Sequence, residues 1–219
     1  MKSLILGLGL VVLASAGMAE TVSPASRPTN MSALPPAGLT TIYDNIARKY
    51  PKGLYNTVAG RPVTGPNNGI GYPQYWIGAA FTPAANISLK RVQVAVSSAN
   101  GSNAGAVALY DDNGGVPGNV LKAWPMTGLP PYGSCCTLTV KNAPGVPLTA
   151  GQQYWVVIKI DKASQDSYIS WNYNTADQIT PQAAASYCKD ANGAVCQGVS
   201  GTWTPTVLAP TMAFAVYGN

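Results

Sequence analysis

Short apolar runs separated by glycine- and proline-rich turns make up most of this chain. The clearest run is residues 154–158, Tyr-Trp-Val-Val-Ile, which follows a turn at Ala150-Gly151 and is apolar at successive positions. A run this short, rich in β-branched and aromatic residues and without a polar face, predicts a β-strand buried on both sides rather than a helix. We therefore expect residues 154–158 to form the central strand of the domain.

Other runs of the same type lie before and after this strand. In residues 87–96 the alternation of apolar and polar residues changes, because Leu89 and Val92 are an odd number of positions apart. This change predicts a β-bulge at Lys90-Arg91. The closing run, residues 212–217, is apolar on both sides and predicts a strand deep in a sheet. Strands are expected at residues 40–44, 75–81, 87–96, 106–110, 120–124, 135–140, 154–158, 168–173, 183–188 and 212–217, and residues 202–203 end a loop that follows residue 188. About ten strands without a helix predict an all-β fold, a two-sheet, jelly-roll-like β-sandwich.

Two segments between the runs carry turn signals. Residues 45–74 contain repeated proline and glycine and read as loop. So long an irregular segment is unusual inside a compact domain, and we expect it to wrap the sandwich or to frame a binding surface. Residues 111–118 are dense in Asp, Asn and Gly, which predicts a hairpin turn between strands 106–110 and 120–124.

The first residues predict export. Residues 1–19 place Lys2 before an apolar run at 4–13 and end in small side chains, as a secretory signal peptide does. The run is too short to span a bilayer, so we expect no transmembrane segment after cleavage and a secreted protein, extracellular or periplasmic. Residues 20–39, rich in Pro, Ser, Ala and Thr, predict a flexible leader. Residues 40–219 then form one β-sandwich domain.

The amino-acid composition excludes several kinds of catalytic site and metal site. The chain has no histidine, which excludes a Ser-His-Asp or Cys-His arrangement, a histidine base and any zinc site with histidine ligands. Charged residues are only 10% of the chain, and removing Lys2 lowers the formal charge from +5 to +4. Without a basic run, nucleic acid is not expected as a partner. We expect a protein that is not an enzyme, has no cofactor, and has a neutral, amide-rich surface suited to polymers or sugars.

Four cysteines in an exported chain predict two disulfides. Cys188 and Cys196 bracket a polar loop that a bridge would staple as a hairpin, which leaves Cys135 and Cys136 to pair with each other. Neighbouring Cα atoms lie about 3.8 Å apart, below the usual disulfide range, so this vicinal bridge would be strained. Strain often lies at a ligand surface. The alternative is two crossed bridges between the pairs; we favour local pairing, because the two loops need not meet in space.

Candidate sites compete with structural explanations. Asp111, Asp112 and Asn113 offer oxygen ligands to Ca²⁺, but a turn whose side chains cap their own backbone is favoured, so no metal site is expected. Aromatic rings beside amides suit sugar stacking, although most aromatic residues in a sandwich belong to the core, and Trp155 is assigned there. The candidate ligand-binding residues are Tyr132, Cys135, Cys136, Trp171, Asn172, Tyr173 and Asn174.

Several motifs together resemble a known family. They are Trp76-Ile77-Gly78 with Phe81-Thr82, the turn 112–118, Cys135-Cys136, residues 148–151 with Tyr154-Trp155, and Trp171-Asn172. In this arrangement residues 40–219 resemble the choice-of-anchor type β-sandwich domains of bacterial secreted proteins. The resemblance implies a β-sandwich and no assigned biochemical role. The chain departs from the family pattern at its end, because no sorting signal follows Tyr217. This departure favours a freely exported protein over an anchored one.

Three functions are weighed on these grounds. The first is a secreted, non-catalytic binding module that recognises carbohydrate or a cell-envelope polymer through loops at the rim of the sandwich. The second is a structural or adhesive extracellular protein that acts by protein contacts or self-association. The third, a polysaccharide-active enzyme using Tyr or Lys, is disfavoured because the chain lacks the commonest acid-base side chain.

Overall fold

The computed structural model describes residues 23–24, 36–46, 55–134, 137–175, 180–189, 195–206 and 210–219. These residues form two antiparallel β-sheets, and one sheet is curled into a half-barrel. The predicted all-β, sandwich-like fold is confirmed. The strands are β1 Ser23–Pro24, β2 Thr40–Asp44, β3 Tyr55–Thr64, β4 Gln74–Phe81, β5 Ile87–Val94, β6 Val96–Asn100, β7 Ala104–Asp112, β8 Pro117–Thr127, β9 Leu138–Leu148, β10 Tyr154–Lys159, β11 Tyr168–Asn174, β12 Gln182–Lys189, β13 Val195–Thr206 and β14 Phe214–Gly218.

The two sheets differ in size. The smaller has the order β1-β9-β5-β14-β2, and the larger follows the path β6-β11-β3-β4-β10-β7-β8. Strand β12 adds to the larger sheet by pairing with β4, and β13 pairs with β12. The curl of this sheet brings Trp203 of β13 within 6.0 Å of the Tyr110 ring of β7, although three strands lie between them.

The central strand lies where the sequence predicts it. Strand β10 pairs with β4 along one edge and with β7 along the other, and residues 154–158 are all buried. Tyr154, Val156 and Ile158 face the core between the sheets. Trp155 and Val157 face the opposite side, in a second cluster beneath the curled sheet. Two apolar layers explain why this strand has no polar face.

The predicted bulge is also present. The pairing of β5 with β9 shifts register between Leu89 and Arg91. The shift allows Leu89 and Val92 both to be buried in the main core. The closing strand β14 pairs with β2 and β5 and is buried throughout, as its pattern predicts.

The structure has more strands than the sequence predicts. Strand β3 lies within the predicted loop 45–74, which is therefore not wholly irregular. Gly60 and Pro62 are residue types typical of loops, so the sequence pattern does not indicate a strand here. A Cβ at Gly60 would lie 2.3 Å from the carbonyl oxygen of Trp171, so glycine is required by the close approach of β11.

The predicted strand 87–96 is divided between the two sheets. Strand β5 belongs to the smaller sheet and β6 to the larger, and the chain crosses at Ala95. Ala95 is fully buried, and its N–H donates to the carbonyl of Ala213 at 3.0 Å. Val94 and Val96 both remain in the core on either side of the crossing.

The predicted signal peptide, residues 1–19, lies outside the described residues. Of the predicted leader, Ser23–Pro24 pairs with Thr139 and Leu138 of β9. In the described ranges, no helix has the length and hydropathy of a membrane span.

Candidate functional site

Residues 65–73 form a loop at the surface of the larger sheet. Hydrogen bonds from side chains and from the backbone hold this loop in place. Thr64, which is fully buried, donates from Oγ1 to the carbonyl of Pro73 at 2.6 Å. The same oxygen accepts from the N–H of Tyr75 at 3.0 Å. One hydroxyl thus joins the two ends of the loop, which is the arrangement of an Ω-loop.

The loop is also fixed from within. The Asn68 side chain is 3% exposed and donates from Nδ2 to the carbonyls of Gly65 at 2.8 Å and Tyr72 at 2.7 Å. Its Oδ1 accepts from the N–H of Ile70 at 3.2 Å. Gly69 and Gly71 take positive φ angles of 73° and 75°, which glycine adopts without the strain of a Cβ. The loop therefore holds one shape.

Residues 164–168 support the loop from the opposite side. The N–H groups of Gly65 and Asn67 donate to the carbonyls of Ser167 and Gln165, both at 2.9 Å. The Asn67 amide donates to Gln165 Oε1 at 3.2 Å. A Cβ at Gly65 would lie only 2.0 Å from the Gln165 carbonyl oxygen, so the two segments are in close backbone contact.

Two adjoining depressions flank this loop. The first has a volume of about 530 Å³ and is lined by loop residues 66–69 and 71–73 with Gln74. The second, of about 480 Å³, is lined by Pro66, Gln74, Trp76, Lys159, Ile160, Asp161, Lys162 and Gln165. Pro66 and Gln74 line both depressions, which therefore adjoin at these two residues. We call the two depressions together the loop groove.

Tyr72 lines one end of the loop groove, and two further tyrosines, Tyr168 and Tyr132, lie outside its lining. Tyr72 is 50% exposed, and its ring meets the Tyr168 ring edge-on with centroids 6.0 Å apart. Burial raises the pKa of Tyr168, and the nearby phenols of Tyr72 and Tyr132 raise it further. Tyr132 is 47% exposed and donates its hydroxyl proton to the carbonyl of Val58. Tyr72 therefore presents exposed aromatic area beside the amides of the loop, and Tyr132 presents a second exposed ring outside the groove lining.

A half-buried amine lies at the other end. Lys159 is the last residue of β10, and its Nζ is 5.5 Å from the centre of the Trp76 ring and 5.7 Å from that of Tyr110. Such positions over aromatic faces attract a cation. Burial lowers the pKa of Lys159, while the Asp161 carboxylate acts in the opposite direction. The amine is thus held by two rings at the wall of the second depression.

Asp111 and Asp112 are the last residues of β7, and Asn113 begins the hairpin turn, residues 113–116, that leads to β8. Asp112 Oδ2 accepts from the N–H of Gly115 at 3.1 Å, and Asp111 accepts from the backbone and side chain of Asn119. Asp112 Oδ1 also accepts from the Trp155 indole and the Gln153 amide, both at 2.7 Å. These bonds occupy the oxygens that the calcium alternative requires. Among the described residues, no three His, Cys, Asp or Glu side chains group to hold a metal.

Asp112 makes stability depend on pH. Burial tends to raise the pKa of its carboxyl, but hydrogen bonds from Trp155, Gly115, Gln153 and Gly114 outweigh burial and hold the pKa below the ordinary 3.8. A depressed folded-state pKa stabilises the fold above the unfolded-state pKa, and the contribution disappears as the pH falls through the lower, folded-state value.

We therefore expect Asp112→Asn to lower the free energy of unfolding at neutral pH and to flatten its decline in acid. The amide Nδ2 would face the N–H of Gly115, donor against donor. Urea unfolding followed from neutral to acid pH measures both effects. Parallel acid limbs for the wild type and the variant would contradict this assignment.

The structure corrects the predicted exposure of the Trp171 segment. Trp171 is fully buried, donates from Nε1 to the Ala213 carbonyl at 3.2 Å and packs against Phe214. Asn172 is 1% exposed and Asn174 4%, and the Asn174 amide donates to the Thr211 carbonyl at 2.7 Å. Tyr173 is partly buried against the main core. No flat ring is offered at Trp171, because the alternation of β11 turns it towards the opposite sheet.

The cysteines give no further information on the site. Cys135 and Cys136 lie outside the described residues, and so do the side chains of Cys188 and Cys196. The backbones of the latter two belong to β12 and β13, which pair, with Lys189 opposite Val195. The predicted disulfides stay predictions.

Sequence reasoning missed Tyr72, Lys159 and the amides of the loop groove as site residues. The one signal was the proline- and glycine-rich segment 45–74, expected to wrap the sandwich or frame a binding surface. Lys159 follows the buried run of β10 and carries no motif of its own.

No protein-family model, curated protein or solved structure matches this chain. The resemblance to choice-of-anchor type domains stays a prediction.

Proposed function

We propose that this protein is a secreted, non-catalytic binding module that recognises a polysaccharide in the loop groove. The observation that carries the proposal is the pair of adjoining depressions beside a loop fixed by Thr64 and Asn68. Two adjoining depressions suit an extended polymer better than a single small molecule. Preformed concave sites with a few placed polar groups are the usual form of a ligand site.

The chemistry of the lining suits sugars. A sugar ring has an apolar face of C–H groups, which packs on an exposed aromatic ring such as Tyr72, and hydroxyl groups, which both donate and accept. The amides of Asn67, Gln74 and Gln165 offer donors and acceptors of the same kind. Because the loop is already ordered, binding costs little additional conformational entropy.

The groove offers little to a hydrolase. Glycoside hydrolysis uses two carboxyl groups on either side of the scissile bond. Asp161 is the one carboxylate among the described lining residues, and its Oδ1 accepts from the N–H of Ala163 at 3.0 Å. The raised pKa of Tyr168 opposes its use as a base near neutral pH. These features support binding without turnover.

Replacing Tyr72 with alanine is expected to weaken polysaccharide binding about tenfold, since about 1.4 kcal/mol of ring contact is lost. Tyr72→Phe keeps the ring and should bind as the wild type does. Affinity electrophoresis of the mature protein against plant, microbial and host polysaccharides identifies a ligand, and titration calorimetry then measures the affinities.

Tyr132→Ala tests the rim position that the sequence predicted, separately from the loop groove. Failure of the wild type to bind any polysaccharide would contradict the proposal. Binding that is lost with Tyr132→Ala but unchanged in Tyr72→Ala would move the site away from the groove.

A structural or adhesive role is the second candidate, and the edge strand β8 favours it. Val120 and Leu121 on this strand are 48% and 40% exposed at the open end of the larger sheet. Lys122 and Pro125 on the same strand oppose it, because lysine and proline block pairing at sheet edges. Light scattering separates the candidates: an ordered oligomer supports self-association, whereas a monomer that binds polysaccharide supports the module.

A further inference from the structure

We propose, resting on the polysaccharide-binding function above, that the polymer is acidic and that its carboxylate or sulfate groups bind at Lys159 in the second depression. The Lys159 ammonium is the group placed to select the charge of the ligand. The first depression, around Tyr72, then takes an adjacent sugar ring of the same chain.

The position of the ammonium is the first argument. Lys159 Nζ lies 5.5 Å from the centre of the Trp76 ring and 5.7 Å from that of Tyr110, and its hydrogen bond within the described part of the chain is a long one, 3.4 Å, to the Tyr110 hydroxyl. An ammonium carries three donors. Lys159 lines the second depression, and a half-buried ammonium that the protein satisfies poorly is best completed by an anionic oxygen from a ligand.

The balance of charge is the second argument. Lys159 and Lys162 line the second depression together with one carboxylate, that of Asp161. The Asp161 carboxylate, whose Oδ1 accepts from the N–H of Ala163, offsets one of the two lysine charges. The depression is thus net positive, within a chain whose formal charge is +5. A charge pair formed in this partly desolvated position is stronger than one on the open surface.

The pKa of Lys159 agrees with this geometry. Burial lowers it, so the protein alone stabilises the charged form poorly. An anion bound beside the amine would favour the charged form and raise the pKa. This rise in the pKa on ligand binding would not occur if Lys159 only packed its aliphatic stem against Trp76.

The test compares acidic polymers with neutral counterparts of equal length, using the intact mature protein. The probes are polygalacturonate, its carboxyl-reduced form, dextran sulfate and dextran. The wild type is expected to bind at least one acidic polymer about tenfold more tightly than its neutral counterpart, with an affinity that falls as salt rises. The two acidic arms show whether the carboxylate or the sulfate is the preferred group.

Lys159→Met keeps the length and packing of the side chain and removes the charge. It is expected to cancel the preference, so that the acidic polymer and its neutral counterpart bind with similar affinity. Lys141→Met, on β9 of the other sheet, removes the same charge at an exposed position and is the matched control. Lysine signals in NMR titrations should report a rise in the pKa of Lys159 when the acidic polymer binds.

Equal affinities for the acidic and neutral polymers, or equal losses in Lys159→Met and Lys141→Met, would overturn this inference and leave the proposed function standing. Absence of binding to every polymer, acidic and neutral, would overturn both. If Lys159→Met melts earlier than the wild type, Lys159→Gln provides a second uncharged variant with the same expected loss of preference.

Discussion

Replacing Trp171 with alanine is expected to lower the free energy of unfolding by about 3–5 kcal/mol, the usual cost of truncating a buried tryptophan. The indole is fully buried, packs edge-on against Phe214 with centroids 6.0 Å apart, and donates to the Ala213 carbonyl at 3.2 Å. Truncation leaves a cavity between the two sheets and removes one of the two hydrogen bonds that the Ala213 carbonyl accepts, while the bond from the Ala95 N–H remains. Urea denaturation at neutral pH measures the loss.

The control is Tyr132→Ala, which truncates a ring that is 47% exposed and should cost about 1 kcal/mol or less. The comparison also separates two explanations of Trp171-Asn172-Tyr173-Asn174. A Trp171→Ala variant that kept its stability and lost polymer binding would restore the segment as a sugar platform and contradict its placement in the core.

Gly65→Ala is expected to destabilise the protein by about 3 kcal/mol and to abolish binding at the loop groove. The new Cβ would lie 2.0 Å from the Gln165 carbonyl oxygen, a backbone atom that cannot rotate away. The loop must move, which breaks the hydrogen bonds of Gly65 to Ser167 and of Asn67 to Gln165. Thermal unfolding and polymer titration measure the two effects.

The matched control is Gly71→Ala in the same loop. Gly71 has a φ of 75° and no atom within 4 Å of a built Cβ, so the cost is that of the left-handed backbone alone, about 1 kcal/mol. The loop should keep its contact with residues 164–168 and the variant should still bind. Equal effects of the two substitutions would show that the contact at Gln165 does not position the loop.

The local pattern of hydrophobic and polar residues predicted the strands that are buried in the same way along their length. Residues 154–158 are apolar on both faces because β10 is covered on both sides, and the bulge near Lys90 follows from the parity of Leu89 and Val92. Strand β3 escaped prediction because Gly60 and Pro62 imitate a loop, whereas its partner β11 lies a hundred residues later in the chain.

The candidate site was predicted least well, since its parts are distant in sequence. Tyr72 and Tyr168 meet at the groove, as do Trp76 and Lys159. No spacing rule relates these positions. The segment from Trp171 to Asn174, by contrast, combines aromatic and amide side chains as a binding platform does. Trp171 nevertheless lies in the core, because its exposure depends on which sheet covers β11.

The sequence by itself determined the all-β class, the central and closing strands, the bulge and the exclusion of histidine chemistry. These depend on residue type and on period-two alternation, which act over a few neighbouring positions. Tertiary structure alone decided that the chain changes sheets at Ala95, that the larger sheet curls over Trp155, and that a fixed loop adjoins Lys159. Those features arise from contacts between distant segments, and the stabilities of such contacts are set by packing that no local pattern records.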